Sequence, residues 1–259
     1  MLLCIDIGNT HTDLGFIRPG GRDPVATSTT IPTAELDQVA EAIESLGAPL
    51  TPLEGIAYCS VVPAMNARLP QLLAPFHRDL WQLTHEVDLG VSITYPNPSE
   101  IGHDRLANAA GANALGDLPA VVIDLGTAVT FDIISQRGGY EGGIITPGPA
   151  LMTRYLHEKT AQLPLVEDVT TPVTSAIGKS TREAMRIGAV LGFVGAIQAC
   201  LDGVITELTQ AGETNIRILT AGGASPVVTG RLNQPTTDVP HLALRGLAAA
   251  WALRPPEPN

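Results

Sequence analysis

Two short stretches of this sequence carry the residue types from which phosphate chemistry can be built: "DIGNTHTD" at 6–13 and "DLGTAVTFD" at 124–132. Each is an apolar run closing on an aspartate, Asp6 or Asp124, followed by a glycine and by hydroxyl or amide side chains. A tight glycine turn can present backbone N–H groups to phosphate oxygens, with Asn9, Thr10 and Thr12 as added neutral donors. An aspartate at the strand end can hold a cation that offsets the phosphate charge. The glycine turn joins two predicted strands, so it is a hairpin rather than the strand-to-helix turn of a Walker loop. No GxxxxGK[ST] run occurs, and Lys159 and Lys179 are the only lysines. Taken singly, either stretch reads as an ordinary β-turn. The pair points to a duplicated half-domain.

The elements that must position these residues follow from patterning. Strands are expected at 2–6 and 12–18, an amphipathic helix over "AELDQVAEAIESL", and a strand over "GIAYCSVVP" that Pro63 closes. "NARLPQLLAPF" reads as a helix with a proline stop or kink, and "VSITYPNPSEIGHDR" as a proline-punctuated loop. "RLANAAGANALG" is an alanine-rich helix suited to close packing. The first pattern restarts at "PAVVIDLGTAVTFDII", which sets the boundary between halves near Gly116–Pro119, as 1–116 and 117–259. Beyond it come a glycine-rich turn region, "GGYEGGIITPGPAL", and a helix from about Ala150 through Thr160. Ser180 and Glu183 stand at capping-box spacing, so a helix starts there with Thr181 in its first turn. Gly188, Gly192 and Gly195 give that helix a smooth stripe, for packing within the subunit or for a subunit interface. "NIRILTAGGASPVV" is a strand running into a glycine turn, and "LALRGLAAAWAL" is a last helix before a disordered-looking "RPPEPN".

Composition bounds the partners. The 259 residues are 44% hydrophobic and 16% charged, an ordinary globular balance with room for a full core. The net charge of −11, with no basic block, argues against nucleic acid or an anionic membrane as partner. Cys4, Cys59 and Cys200 are far apart in apolar surroundings, as expected of reduced buried thiols. The six histidines, His11, His77, His85, His103, His157 and His241, show no metal-ligand spacing. No basic n-region precedes Asp6, and the uncharged apolar stretch Ile187–Leu201 spans 15 residues, short for a bilayer; a cytoplasmic protein is expected.

The two hairpins and the later Gly222-Gly223 turn resemble, in order, the phosphate-1, phosphate-2 and adenosine elements of the acetate and sugar kinase, heat-shock chaperone and actin superfamily. With "EIGHDRLANAAGA", "DLGTAVTFDII", "GGYEGGIITPGPAL", "KTAQLPLV" and "GKSTREAM", the chain resembles a type III pantothenate kinase along essentially its whole length. The resemblance implies two ribonuclease-H-like α/β halves with mixed sheets and an interdomain nucleotide cleft. It implies ATP-dependent phosphorylation of the primary hydroxyl of pantothenate, the first step towards coenzyme A.

By the same resemblance, Asp104 accepts the hydroxyl proton, where positioning matters more than base strength, and Arg105 pairs with the pantothenate carboxylate. Without the flanking motifs, that Asp-Arg pair also reads as a helix N-terminal charge with a surface salt bridge. Tyr95, Gly102 and Thr181 complete the implied pantothenate contacts, Thr181 from the second subunit of a homodimer. Asp6, Ile7, Gly8, Asn9, Thr10, His11, Thr12 and Asp13 would surround the ATP phosphates from one side, Gly126 and Thr127 from the other. Asp6 would act through hydrated magnesium and Asp124 as ligand of a monovalent cation, potassium or ammonium. Asp132 reads as structural. His103 departs from the family's Gly-Ala-Asp-Arg motif, as a spacer or a substrate contact. Two other readings stay open: a regulatory nucleotide-binding protein of this fold, which would lose Asp104 or Arg105, and another phosphotransferase, which would lack "GHDR" together with "KTAQLP".

Overall fold

The computed structural model describes residues 1–47, 52–76 and 78–255. They form two compact units, one of Met1–Leu118, Arg137–Glu141 and the segment from His241 onward, the other of Pro119–Gln136 and Gly142–Pro240.

In the first unit, β1 (Leu2–Ile7) and β2 (His11–Ile17) form an antiparallel hairpin that pairs Asp6 with Asp13, and β3 (Thr27–Pro32) extends it antiparallel. A 3-10 turn (Thr33–Gln38) leads into α1 (Val39–Ser45), so the helix expected from residue 34 is tightened over its first part. β4 (Gly55–Ser60) lies parallel to β1, followed by α2 (Pro63–Asn66), α3 (Leu69–Leu73) and β5 (Leu80–Gln82), which is parallel to β4. The sheet order is β3-β2-β1-β4-β5. Pro63 and Pro70 each stand at a helix start, where a missing N–H costs nothing, so "NARLPQLLAPF" breaks into short turns instead of one helix.

Alternation along β1 divides the sheet's two faces. Leu3, Ile5 and Ile7 join Leu36, Val39, Ile43, Leu69 and Leu73 in the core. Cys4 and Asp6 face the other way, the side on which Leu244 approaches Gly15, the partner of Cys4. That side is covered by α4 (His103–Leu115), which ends on left-handed Gly116.

The second unit repeats the plan. β6 (Ala120–Leu125) and β7 (Ala128–Ser135) are an antiparallel hairpin, β8 (Gly139–Pro147) flanks it, and α5 spans Pro149–Lys159. α6 (Thr181–Ile187) passes through a π-helical turn at Gly188–Gly192 into α7 (Phe193–Gln210). β9 (Arg217–Ala221) lies parallel to β6, and α8 (Ser225–Val228) precedes β10 (Thr237–Asp238), parallel to β9. The order β10-β9-β6-β7-β8 mirrors that of the first sheet, with β6 in the place of β1 and β9 in that of β4. Val121, Ile123 and Phe131 pack against Phe193, Ile197 and Leu201 of α7.

One expectation needs correction. The glycine-rich turn region "GGYEGGIITPGPAL" is strand over Gly139–Pro147, with Tyr140 fully buried in it. The helical run from Thr181 to Gln210 is 30 residues long and, by length and composition alone, apolar enough to cross a membrane, with the charged Arg182, Glu183, Arg186, Asp202 and Glu207 on either side of the uncharged 15-residue stretch. The last helix, α9 (Leu242–Ala252), packs on α4 and β1 of the first unit; Gly246 leaves no room for a side chain beside Ala107. In "RPPEPN", residues 256–259 lie outside the described residues, as does His77.

Candidate active site

The β1–β2 turn is closed by its own backbone: the Gly8 amide donates to His11 O at 3.0 Å. Thr33 supports it from behind, its hydroxyl donating to Gly8 O at 2.7 Å and its amide to Thr10 O at 2.9 Å. Asn9, Thr10 and His11 remain exposed. Two expected phosphate contacts turn inward: Ile7 is buried in the core, and the buried Thr12 hydroxyl bonds Thr33 at 3.0 Å. Thr12 therefore shapes the turn, since a residue on the core face of a half-buried strand cannot also offer its side chain to solvent.

Asp6 is half-buried beside Cys59, its neighbour across β1 and β4, whose thiol donates to Asp6 Oδ1 at 3.2 Å. Burial above all, and then the charges of Asp6 and Asp104, push the Cys59 thiol far above its ordinary range. Both acids thus act on one thiol at the carboxyl ends of parallel β1 and β4, where ligands of open α/β sheets bind.

Asp104 enters from the first turn of α4. Gly102 caps the helix, and a side chain there would meet Asp104 Oδ1 at 2.5 Å and Val61 at 3.4 Å. Burial raises the Asp104 pKa, and the Arg105 amide, donating to Oδ1 at 2.8 Å, and the Arg105 charge hold part of that rise back. An acid poised upward from the usual carboxylate range is a better proton acceptor at neutral pH. His103 is pushed down, first by burial and then by His85, against a ring hydrogen bond to the Ser60 backbone, and its Nδ1 is buried without a partner. Its neutral ring fits a spacer between Asp104 and the β4 end. The Arg105 guanidinium lies over the Tyr140 ring, 5.8 Å from its centre, and Tyr95 meets the same ring edge-on at 6.5 Å.

In the second unit, Asp124 ends β6 beside Ala221 of β9, which runs directly into Gly222-Gly223. Asp124 Oδ1 and Leu125 O converge on Gly222, both 2.7 Å from where a side chain there would begin. The Thr127 carbonyl accepts from the Gly148 amide at 2.9 Å, and Gly126 and Thr127 are exposed. Asp132 is fully buried in β7. Thr181 follows the N-cap Ser180, whose hydroxyl accepts from the Glu183 amide at 3.2 Å. It opens an apolar groove of about 430 Å³ lined by Met152, Leu156, Leu163 and Met185.

Among the described residues, no three His, Cys, Asp or Glu side chains are grouped to hold a metal ion. Magnesium keeps most of its waters and needs one or two carboxylates besides the phosphates; the carboxylates at this turn are those of Asp6 and of Asp13, its register partner on β2, which accepts from the Thr30 hydroxyl. A monovalent cation asks for oxygen ligands, and Asp124 Oδ1 and Leu125 O both lie close to Gly222. Tyr140, Cys59 and Thr33 were not legible as site residues; an aromatic set between glycine pairs in "GGYEGG" was the one signal available for Tyr140.

The family model described as type III pantothenate kinase matches residues 2–202. A type III pantothenate kinase of Methylacidiphilum infernorum is 41% identical over 246 residues, 95% of this chain and 86% of the relative. Another, of Streptomyces griseus, is 37% identical over 266 residues, 97% of each chain. Among solved structures, the activator of 2-hydroxyisocaproyl-CoA dehydratase from Clostridium difficile, with bound ADPNP, overlays at TM-score 0.53 with 13% identity, covering 97% of this chain and 93% of that one. At that identity the likeness speaks for the fold, the actin-like ATPase and sugar-kinase architecture of two mixed-sheet α/β units.

Proposed function

The chain belongs to the type III pantothenate kinase family, an ATP-dependent kinase that makes 4'-phosphopantothenate in the route to coenzyme A; from that premise we propose which of its residues do the work. The carrying observation is Asp104, enclosed at the start of α4 with a raised pKa and within electrostatic reach of the thiol that bonds Asp6. Asp104 takes the proton of the pantothenate hydroxyl as that oxygen bonds the γ-phosphorus and the bond to the ADP oxygen breaks. Arg105 receives the pantothenate carboxylate through its planar fork, and Tyr95 and Gly102 line the same substrate site. His103 is a neutral spacer beside the acid.

The hairpin at Gly8–His11 offers its exposed face to ATP phosphates, with Ile7 and Thr12 shaping it from within; Gly126 and Thr127 form the second phosphate element. Asp6, with Asp13 opposite, would hold hydrated magnesium, which when bound neutralises phosphate charge. Asp124 would hold potassium or ammonium. The exposed Leu151, Tyr155, Leu156 and Leu191, beside the apolar groove that Thr181 opens, support a homodimer in which Thr181 serves the partner's substrate. A cytoplasmic enzyme fits the demand for ATP and the reduced thiols.

ADP release from purified protein, with and without pantothenate, in potassium and then sodium buffer, tests the assignment. Pantothenate-dependent turnover that requires potassium is expected; turnover equal in both salts would remove the role given to Asp124.

A further inference from the structure

Tyr140 lies within "GGYEGGIITPGPAL" and has been given no role so far, yet its ring meets two residues assigned to the substrate. Its side chain is fully buried, with the Arg105 guanidinium over its face and the Tyr95 ring against it. Its backbone is held on both sides by residues 92–94: the Tyr140 amide donates to Ser92 O at 2.8 Å, and the Thr94 amide and hydroxyl donate to Tyr140 O at 2.9 and 3.1 Å. Gly139 precedes it in the left-handed region (φ 72°), where a side chain would run into Ser92, and the Ser92 hydroxyl donates to Gly138 O at 2.9 Å. The 137–141 segment is therefore fastened to the strand-like run that carries Tyr95.

We propose that Tyr140 is a positioning residue for the acceptor substrate, its buried ring fixing the Arg105 guanidinium and the Tyr95 ring in the arrangement that receives the pantothenate carboxylate. This rests on the substrate roles assigned above to Arg105 and Tyr95. A long arginine side chain has many rotamers, and a guanidinium that must meet a carboxylate along two parallel bonds gains most from being ordered beforehand. The negative face of a tyrosine ring supplies that order without competing for the N–H donors, because the attraction is to the cation as a whole.

The test compares Tyr140→Leu and Tyr140→Phe, each alone and with Arg105→Ala, by pantothenate and ATP kinetics and thermal unfolding. Tyr140→Leu is expected to lower kcat/KM for pantothenate about tenfold through KM, leaving the ATP KM within about twofold, while Tyr140→Phe keeps the ring face and stays near the parent. With Arg105→Ala present, Tyr140→Leu should add little, since the residue acts through the guanidinium. If the leucine variant unfolds, Tyr140→Met, whose flexible side chain fills the space without a ring face, takes its place. An unchanged pantothenate KM, or an undiminished further loss in the Arg105→Ala background, overturns the inference while leaving the kinase reading intact. A parent enzyme that turns over ATP without any dependence on pantothenate overturns both.

Discussion

Asp124 Oδ1 stands 2.7 Å from the point where a side chain on Gly222 would begin, with Leu125 O at the same distance. The contact joins the end of β6 to the turn after β9, and Gly222 adopts φ 86°, a conformation most residues avoid. Gly222→Ala should cost about 1–3 kcal/mol from strain at this position. It should also raise the potassium concentration needed for half-maximal activity, because the displaced group is the proposed cation ligand. Gly212→Ala, also at positive φ but with open space where the side chain would go, is the control: it should share the strain and leave the potassium requirement near the parent's. Unfolding midpoints and potassium titrations read the two effects separately.

Asp104→Asn separates function from stability. Replacing the proton acceptor should lower kcat by roughly 10²–10⁴-fold. Since burial raises the Asp104 pKa, the folded protein holds this proton more tightly than the unfolded chain does. Stability from this group is thus greatest below the ordinary carboxylate pKa and falls as pH rises through the folded value. The Asn variant should lose that slope and unfold at an equal or higher temperature than the parent at neutral pH. Calorimetry across pH 4 to 8, on the order of four points, is sufficient.

Enzyme activity should follow the same group with the opposite sense. Only the carboxylate accepts a proton, so kcat should decline on acidification with a midpoint above the ordinary carboxylate range. The midpoint should be absent from the residual activity of the Asn variant.

Arg105→Lys keeps the charge but loses the planar fork and its contact with the Tyr140 ring. A rise of roughly tenfold or more in the pantothenate KM, with the ATP KM little changed, is expected in steady-state kinetics.

Much of this architecture was legible because duplication is a strong signal. The matched runs at 2–17 and 120–135 became the paired hairpins β1–β2 and β6–β7, each with the same sheet order around it. What was not legible depends on three-dimensional neighbours. Thr12 reads as a phosphate donor from its spacing, but strand alternation turns its hydroxyl to Thr33, which is remote in sequence. Tyr140 sits in a stretch that local composition assigns to a turn, but it belongs to β8, and its backbone bonds to residues 92 and 94, remote in sequence, set its ring beside Arg105. The apolar run at 181–210 has the length of a membrane helix, yet Phe193, Ile197 and Leu201 belong to the second unit's core, which one-dimensional hydropathy cannot express.

The exposed apolar side chains near the groove give the dimer proposal its test. Leu156→Glu, on α5, places a charge among Leu163 and Met185 and should convert a dimer to monomer in sedimentation velocity. Loss of pantothenate turnover should accompany dissociation if Thr181 serves the partner; a fully active monomer would remove that role.

The most direct measurement of the central claim is a single-turnover reaction of the purified enzyme with ATP and pantothenate, analysed by mass spectrometry, for the parent and Asp104→Asn side by side. The account predicts stoichiometric 4'-phosphopantothenate from the parent and almost none from the variant in the same time, with both proteins folded and binding ATP. Phosphopantothenate formed at equal rates by the two proteins would contradict the role of Asp104, and none from either would contradict the activity itself.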